Sequence, residues 1–265
     1  MSRRVLVTGG ASGLGLALAK GFLARGDRVV VGDLARTRPG AVPADAAYVP
    51  LDVRQDAHWS AARTWVTERW GGLDVLVNNA GIATGGRIDV EAIEDWQRVL
   101  DINLLGVVRG ARAFTPMFKE QRGGHIVNIA SLAGLIHGAG MSSYNATKAG
   151  VVALSETLSF ELRPWNITTS VVCPAFFRTN LHESLRGADA PMHRTAQRLI
   201  TSSPTTADDV AAVVLAGIDA GRFLILTDRL GRRAYWTKRL AAPLYRRTSR
   251  AGGERLARKP RRSDG

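Results

Sequence analysis

The chain has 265 residues, of which 45% are hydrophobic and 22% are charged, an ordinary composition for a globular protein with a substantial core. The formal net charge is +13, but residues 229–265 carry 13 Lys and Arg against 2 Asp and Glu, which leaves +2 for residues 1–228. Because the charge is confined to this tail and no recognised binding module accompanies it, the composition does not predict a nucleic-acid partner.

The single cysteine, Cys173, excludes an internal disulfide, and its apolar neighbours indicate a buried structural thiol. The N-terminus enters RRVLVTGG without the apolar segment and cleavage site of a secretion signal, and no uncharged apolar run reaches about 18 residues. These features predict a cytoplasmic protein without a transmembrane helix. The five histidines show no metal-ligand clustering, so we predict no metal site.

Short apolar runs alternate with helical patterns along residues 4–228. Consecutive Val, Ile and Leu residues are typical of strands buried on both faces. The runs are Val5–Thr8, Arg28–Asp33, Ala47–Leu51, Asp74–Asn78, His125–Ala130, Thr168–Cys173 and Phe223–Leu226. Helical patterns fall near 13–25, 56–70, 91–121 with a break, 143–162, and 206–220, where Thr and Asp residues mark the start. The alternation predicts an α/β fold, a doubly wound parallel sheet in a single domain over residues 1–228.

Two segments interrupt this alternation. Residues 175–204 form a long connection of mixed polarity, and connections of that length are often functional lids. Residues 229–265 form a basic C-terminal tail, whose final RKPRRSDG is predicted to be disordered.

The basic tail contains a helical pattern. Trp236, Leu240 and Leu244 recur at helical spacing among Lys and Arg, and Pro243 is expected to kink or end that helix. The pattern is typical of a helix that lies on an anionic membrane surface. The alternative is an arm that packs on the protein's own surface or on a partner subunit.

A glycine-rich turn, VLVTGGASGLG, follows the first predicted strand and opens the first predicted helix. Gly9, Gly13 and Gly15 let the backbone turn tightly and let a pyrophosphate approach it, while the helix N-terminus supplies N–H groups and a positive dipole end. Asp33 ends the next strand, 18 residues after Gly15, close to the spacing of a ribose-binding carboxylate. The sequence therefore predicts a bound nicotinamide dinucleotide.

Two features favour NAD(H) over NADP(H). The carboxylate of Asp33 accepts hydrogen bonds from ribose hydroxyls and repels a 2′-phosphate. Ser12, rather than a basic residue, stands just before Gly13. Arg36 follows Asp33 closely, so NADP(H) remains the alternative.

The TGxxxGxG spacing resembles that of the short-chain dehydrogenase/reductase family, and the resemblance continues in order over residues 4–228. The motifs that carry it are LDV, NNAG, DINLLG, the strand end HIVNIAS and the YxxxK pair in SSYNATK. The resemblance implies the catalytic residues Asn103, Ser131, Tyr144 and Lys148. It implies cofactor contacts from Gly9, Ser12, Gly13, Leu14, Gly15, Asp33, Asp52, Val53, Asn79, Ala80, Gly81, Tyr144, Lys148, Pro174 and Thr179.

The chemistry of alcohol oxidation explains these residue types. Hydride transfer at a carbinol carbon needs a proton moved to or from the substrate oxygen, and a free tyrosine, with a pKa of about 10, is a poor base near neutral pH. Lys148 lies one helical turn after Tyr144, where an ammonium would lower the pKa of the phenol. Ser131 can orient the substrate oxygen, and by resemblance Asn103 holds a water that relays protons from Lys148.

The predicted function is therefore NAD(P)-dependent interconversion of a secondary alcohol and a ketone. The alternative is a non-catalytic regulatory or scaffold protein that binds a dinucleotide on the same fold. The intact Ser131, Tyr144 and Lys148 argue against that alternative. The resemblance also implies a homodimer or homotetramer, with the helices that carry Asn103 and Tyr144 at the interface.

The segments around the predicted active site indicate the substrate. Candidate lining residues are Leu132, Ala133, Leu135, Ile136, His137, Met141, Phe176, Phe177, Leu181 and Leu185. Most are apolar, which predicts a moderately hydrophobic alcohol or ketone. The lid arginines 178, 186 and 194 could reach an anionic group, although lid arginines usually face water. The chain departs from the family at Ala175, where a glycine usually follows the proline, and the added methyl group is expected to alter the backbone next to the nicotinamide.

Overall fold

The computed structural model describes residues 2–257 and contains a sheet of seven parallel strands in the order β3-β2-β1-β4-β5-β6-β7. The strands are β1 (Arg4–Thr8), β2 (Arg28–Asp33), β3 (Ala47–Pro50), β4 (Val75–Asn78), β5 (Gly124–Ile129), β6 (Ile167–Cys173) and β7 (Leu224–Leu226). The predicted doubly wound parallel sheet is confirmed, and every predicted strand is present to within two residues.

Helices cover both faces of the sheet. They are α1 (Gly13–Ala24), α2 (Asp56–Trp70), α3 (Ile93–Leu100), α4 (Gly106–Gln121), α5 (Ser142–Glu161), α6 (Ala190–Thr201), α7 (Ala207–Asp219), α8 (Arg229–Leu240) and α9 (Ala242–Ala257). Successive β1 residues point to opposite faces: Val5 and Val7 pack with α1 and α7, whereas Leu6 packs with α2 and α4. The predicted start of α7 is confirmed, because Thr206 and Asp209 form a capping box there.

The break predicted within residues 91–121 is a single π-helical turn, Asp101–Leu105, between α3 and α4. The break does not lie at Pro116, although proline usually disturbs a helix, because Pro116 lies inside α4. Isolated π turns inside helices are frequent at functional sites. This one carries Asn103, whose side chain is completely buried.

The connection 175–204 contains more regular structure than the sequence analysis assigned to it. A short 3-10 helix, Asn180–Ser184, precedes α6. Met192, Ala196 and Ile200 are buried at a spacing of four residues, which is the helical signal that the analysis missed.

The basic tail forms two helices within the described residues. Helix α8 ends at Leu240, and Pro243 lies in the first turn of α9, a position that proline tolerates. The expectation that Pro243 interrupts the helix is therefore met. The final segment predicted to be disordered, 258–265, lies outside the described residues.

A buried chain of polar side chains fixes α5 against the sheet. The Asn78 amide nitrogen donates to Asn128 Oδ1 at 2.9 Å, and Asn128 Nδ2 donates to Ser155 Oγ at 3.0 Å. These residues join β4, β5 and α5 where no water reaches them. An unpaired polar group at such a site costs much of its desolvation energy, so the chain holds α5 in one position.

We expect Ser155→Ala to lower the free energy of unfolding by about 1–3 kcal/mol, because it leaves the Asn128 amide without its acceptor. Ser159→Ala on the same helix is the matched control, since its hydroxyl bonds only to the carbonyl of Glu156 at a more exposed position. We expect the control to change stability by less than about 0.5 kcal/mol. Urea unfolding followed by circular dichroism measures both, and equal losses would contradict the importance of the buried chain.

Candidate active site

A cavity of about 790 Å³ lies along the carboxyl ends of the strands, where the order of the sheet reverses between β1 and β4. Ligands bind at this switch point in open parallel sheets. Nearly all the site residues expected from the sequence line the cavity: Gly9, Ser12, Gly13, Leu14, Asp33, Asp52, Val53, Asn79, Ala80, Gly81, Ser131, Tyr144, Lys148, Pro174 and Thr179. Gly15 and Asn103 are the two that lie behind its wall.

The glycine-rich turn leaves its backbone open to the cavity. Gly9 has a φ of 62°, and a Cβ there would lie 2.9 Å from Ala80 Cα. Gly15 packs directly under the turn, where a Cβ would lie 2.2 Å from the carbonyl oxygen of Gly9. Ser12 does not cap α1 with its side chain, so the N–H groups of the first helical turn are available to a phosphate.

Asp33 ends β2 with its carboxylate oriented by the backbone. Its two oxygens accept the N–H groups of Ala11 at 2.9 Å and Leu34 at 2.8 Å. Charged acceptors held in this way keep further lone pairs for ribose hydroxyls. Arg36 is exposed and does not line the cavity. The turn, the helix end and this carboxylate together fit a nicotinamide dinucleotide.

Asp52 lies at the same rim of the cavity and pairs with Arg54 at 2.7 Å. The side-chain hydrogen bonds from Arg54 hold the pKa of Asp52 below its usual range. Asp52 is therefore an anion at neutral pH, next to the cavity residue Val53.

Asn79 braces the glycine turn, and Gly81 makes room for the groups behind it. The Asn79 amide nitrogen donates to the carbonyls of Thr8 at 2.9 Å and Gly9 at 3.1 Å. A Cβ on Gly81 would lie 3.2 Å from Asn103 Oδ1 and 3.7 Å from Lys148 Nζ. The small Gly81 of the NNAG motif thus lets Asn103 and Lys148 approach the end of β4.

The side chain of Asn103 forms hydrogen bonds with both the backbone N–H and the carbonyl of Ile82. Its Oδ1 accepts the Ile82 N–H at 2.8 Å, and its Nδ2 donates to the Ile82 carbonyl at 2.9 Å. The residue thereby fixes the chain that leaves β4 and forms one wall of the cavity. Its expected part in a proton relay stays a prediction.

Ser131, Tyr144 and Lys148 meet at the ends of β5 and the start of α5. Ser131 Oγ accepts the Ala133 N–H at 3.2 Å, caps a short 3-10 helix and hydrogen-bonds Tyr144. Lys148 Nζ donates to the Ile129 carbonyl at 2.9 Å and lies 5.9 Å from the centre of the Tyr144 ring. The structure therefore brings the three predicted catalytic side chains together.

In the chain without cofactor, burial is the largest influence on the pKa values of Tyr144 and Lys148. It raises the pKa of Tyr144 above its usual value, and the hydrogen bond with Ser131 acts in the opposite direction. Burial also lowers the pKa of Lys148 to about 8. The expectation that Lys148 lowers the pKa of Tyr144 is not met here, because desolvation outweighs the other influences on both groups.

The substrate side of the cavity is largely the apolar surface predicted. Leu132, Ala133, Ile136, Met141, Phe176, Phe177 and Leu181 line it, as does Ala175. Leu135, His137 and Leu185 do not, contrary to expectation. Leu135 packs against the core below α5 instead, and His137 faces the C-terminal helices.

Arginine side chains are among the residues that line this cavity. Arg186 of the lid lines it, whereas Arg178 and Arg194 do not. Arg98 of α3 also lines it, and the sequence analysis missed this residue. The sequence signal that could have identified Arg98 is its position four residues before Ile102, which also lines the cavity.

The lid segment contacts several other parts of the chain around the cavity. Thr179 Oγ1 occupies the space beside Gly13, 2.6 Å from where a Cβ would lie. Ser184 Oγ accepts the N–H of Ala83 at 2.8 Å. The buried carboxylate of Asp189 pairs with Arg87 Nε at 2.8 Å, which ties the start of α6 to the loop after β4.

Other reactive groups do not add a second chemistry to this cavity. Cys173 is completely buried, and burial raises the pKa of its thiol to about 12, which fits the structural role expected for it. Within residues 2–257, no group of three or more His, Cys, Asp or Glu could hold a metal ion. None of the helices in that range is long and apolar enough to span a membrane.

The chain is similar to known proteins over most of its length. Residues 3–190 match the family model described as short chain dehydrogenase. A 3-alpha-(or 20-beta)-hydroxysteroid dehydrogenase of Mycobacterium tuberculosis is 42% identical over 178 residues, 66% of this chain and 68% of that protein. A 2-(R)-hydroxypropyl-CoM dehydrogenase of Xanthobacter autotrophicus is 36% identical over 237 residues, 83% of this chain and 93% of that protein.

A solved structure extends the similarity to the arrangement of the whole fold. A short-chain dehydrogenase/reductase of Burkholderia phymatum in complex with NAD has a TM-score of 0.84 and 31% identity. The match covers 92% of this chain and 95% of that one. The chain therefore belongs to the short-chain dehydrogenase/reductase family, whose members are NAD(P)-dependent oxidoreductases of alcohols and ketones.

Proposed function

We propose that Tyr144 is the general acid and base of the reaction. Tyr144 lines the cavity with Ser131, and it lies one helical turn before Lys148. During ketone reduction it donates a proton to the carbonyl oxygen, and during alcohol oxidation it accepts that proton. The bound nicotinamide supplies or accepts the hydride, and the protein supplies position and electrostatics. The convergence of these three side chains on one cavity carries the proposal.

The neighbouring residues support this step. Ser131 hydrogen-bonds the substrate oxygen and orients it toward Tyr144. Lys148, a cation at pH values below its pKa of about 8, binds the nicotinamide ribose. Asn103 holds the wall beside Lys148 through Ile82 and contributes to proton relay. A scaffold protein without catalysis would not need this set of side chains, so the catalytic function is favoured.

We expect Tyr144→Phe to lower kcat about 10²–10⁴-fold, because it removes the proton donor and keeps the ring. NADH binding, followed by the change in cofactor fluorescence, should stay within about threefold of wild type, since the phenol is one of many cofactor contacts. Turnover is measured as NADH absorbance with a ketone that the wild type reduces. Full activity of the variant would rule out the mechanism.

The cofactor proposed for this site is NAD(H) rather than NADP(H). Asp33 presents an oriented carboxylate at the end of β2, and a 2′-phosphate beside it would suffer charge repulsion. No basic side chain takes the place of Ser12 in the turn. The exposed Arg36 is the residue nearest in sequence that could favour the phosphate.

Asp33→Ala should lower kcat/KM for NAD about 10- to 100-fold and raise kcat/KM for NADP, because it removes both the ribose acceptor and the repulsion. Asp45→Ala is the matched control, since Asp45 is exposed and lies outside the cavity, and it removes the same charge. Initial rates with each cofactor give the ratio. An unchanged ratio in Asp33→Ala would show that the carboxylate does not select the cofactor.

The substrate proposed for the apolar half of the cavity is a moderately hydrophobic secondary alcohol or its ketone. The carbon-rich walls of Ile136, Met141 and Phe176 favour such a molecule. The hydroxysteroid dehydrogenase relative, by its name, acts on a substrate of this kind. A panel of aliphatic, aromatic and steroid ketones, assayed with NADH, identifies which class is reduced.

A homodimer or homotetramer is proposed as the assembled form. Leu105, at the end of the π turn, and Phe160, near the end of α5, expose 44% and 70% of their surface. Apolar side chains of that size on neighbouring helices favour burial against a second copy of the chain. A cytoplasmic location stays a prediction.

Contact with an anionic membrane is proposed for the outer side of α8 and the start of α9. Leu230, Trp236, Leu240 and Leu244 expose between 51% and 79% of their surface there, among the many arginines of the tail. Exposed apolar residues surrounded by basic ones are typical of helices that lie in a lipid interface. Basic side chains also complement the negative surface of anionic lipids.

Full-length protein should sediment with phosphatidylserine vesicles at low ionic strength and be released by salt, because both charge and apolar contact contribute. A Leu240→Ser, Leu244→Ser variant should bind several-fold more weakly, since it removes apolar contact without changing charge. Leu199→Ser, an equally conservative change on the exposed side of α6, is the matched control. Equal sedimentation of all three proteins would contradict membrane contact through Leu240 and Leu244. It would favour the alternative that these residues contact a partner subunit.

A further inference from the structure

The C-terminal helices α8 and α9 run beside the loop that joins Ser131 to Tyr144. The first contact is near Ser131, where Gly231 of α8 packs against Leu132, with 3.2 Å between the Leu132 methyl carbon and the position of a Cβ on Gly231. The last contact is near Tyr144, where Leu256 of α9 lies 3.2 Å from the position of a Cβ on Gly140. The two helices therefore contact this loop near both of its ends.

Lys238 holds the middle of the loop by two contacts. Its Nζ donates to the Leu135 carbonyl at 2.6 Å and lies 3.1 Å from His137 Nε2. His137 Nδ1 lies 3.1 Å from the carbonyl of Ala133. Because an ammonium only donates and a carbonyl only accepts, the neutral histidine with its hydrogen on Nδ1 satisfies both partners. One charged side chain of α8 thus contacts the loop at two points.

Tyr245 of α9 adds a third contact at the same point. Its hydroxyl oxygen accepts the backbone N–H of His137 at 3.0 Å. Lys238 Nζ also lies 5.5 Å from the centre of the Tyr245 ring, so the two residues support each other across the turn between α8 and α9. Both side chains are half-buried, whereas His137 is exposed.

The loop held in this way carries part of the substrate wall. Ile136, Gly138 and Met141 line the cavity, and they alternate with residues that the C-terminal helices contact. Gly140 has a φ of 76° and is packed between Met192 of the lid and Leu256 of α9. A shift of α8 or α9 therefore moves the apolar wall that faces Tyr144.

We propose that α8 and α9 act as a clamp that sets the shape of the substrate wall, with Lys238 and Tyr245 as positioning residues. The clamp contacts loop residues Leu132, Leu135, His137 and Gly140, and its two hydrogen-bonding side chains contact residues 135 and 137. The cofactor half of the cavity lies at the other strand ends, around Gly9 and Asp33. The clamp thereby governs which ketone fits without governing cofactor binding. The catalytic readout of this proposal rests on the proposed function.

The test compares full-length variants that remove one contact each. Lys238→Met keeps the aliphatic stem but loses the ammonium, and it should raise KM for a ketone about tenfold with a smaller effect on kcat. Lys238→Arg retains a cationic donor and should restore KM to within about threefold of wild type. NADH binding should be unchanged in both variants. Arg250→Met, an exposed change on α9, is the matched control and should leave KM unchanged.

Hydrogen–deuterium exchange gives a readout that does not depend on turnover. Tyr245→Phe removes the acceptor of the His137 N–H and should speed exchange in a peptide that covers residues 133–141, whereas Arg250→Met should not. If the wild type reduces no ketone, the proposed function fails while the exchange result still decides the clamp. The clamp is overturned if exchange in that peptide is unchanged. It is also overturned if Lys238→Met leaves KM unchanged or weakens NADH binding as much as ketone binding.

Discussion

The hydroxyl oxygen of Thr8 accepts the backbone N–H groups of Asn79 at 3.0 Å and Ala80 at 3.1 Å, which joins the carboxyl ends of β1 and β4. The order of the sheet reverses between these two strands, so the helices that follow them turn to opposite faces and leave a cleft. The glycine turn lies on one side of that cleft, and the chain that Asn103 holds lies on the other. The positions of the remaining site residues depend on the cleft between these two segments.

The side chains proposed to be catalytic are held at the cleft by a second buried connection. Asn78, Asn128 and Ser155 link β4 and β5 to α5, and one side of α5 presents Tyr144 and Lys148. Low exposure strengthens these hydrogen bonds and also desolvates the pair. Burial of the polar side chains therefore helps to fix the position of α5. Burial of Tyr144 and Lys148 raises the pKa of the tyrosine and lowers that of the lysine.

Much of this arrangement could be predicted because local rules determine it. Consecutive buried Val and Ile residues indicate parallel strands, and the parallel strand ends must meet at one edge of the sheet. The structure places the motifs at the ends of β1, β2, β4 and β5 around one cavity, as the family resemblance implied. The helix in the lid was missed because its apolar residues are few and separated by polar ones.

The sequence by itself determined the sheet, the glycine turn and the family, since each depends on spacing along the chain. Only the tertiary structure decided where residues 229–257 of the basic tail lie and which side His137 faces. Lys238 and Leu135 are 103 positions apart, and no local pattern signals a hydrogen bond between an ammonium and a distant carbonyl. The protonation of Tyr144 was likewise decided by burial, which is a property of the packed molecule and not of the YxxxK spacing.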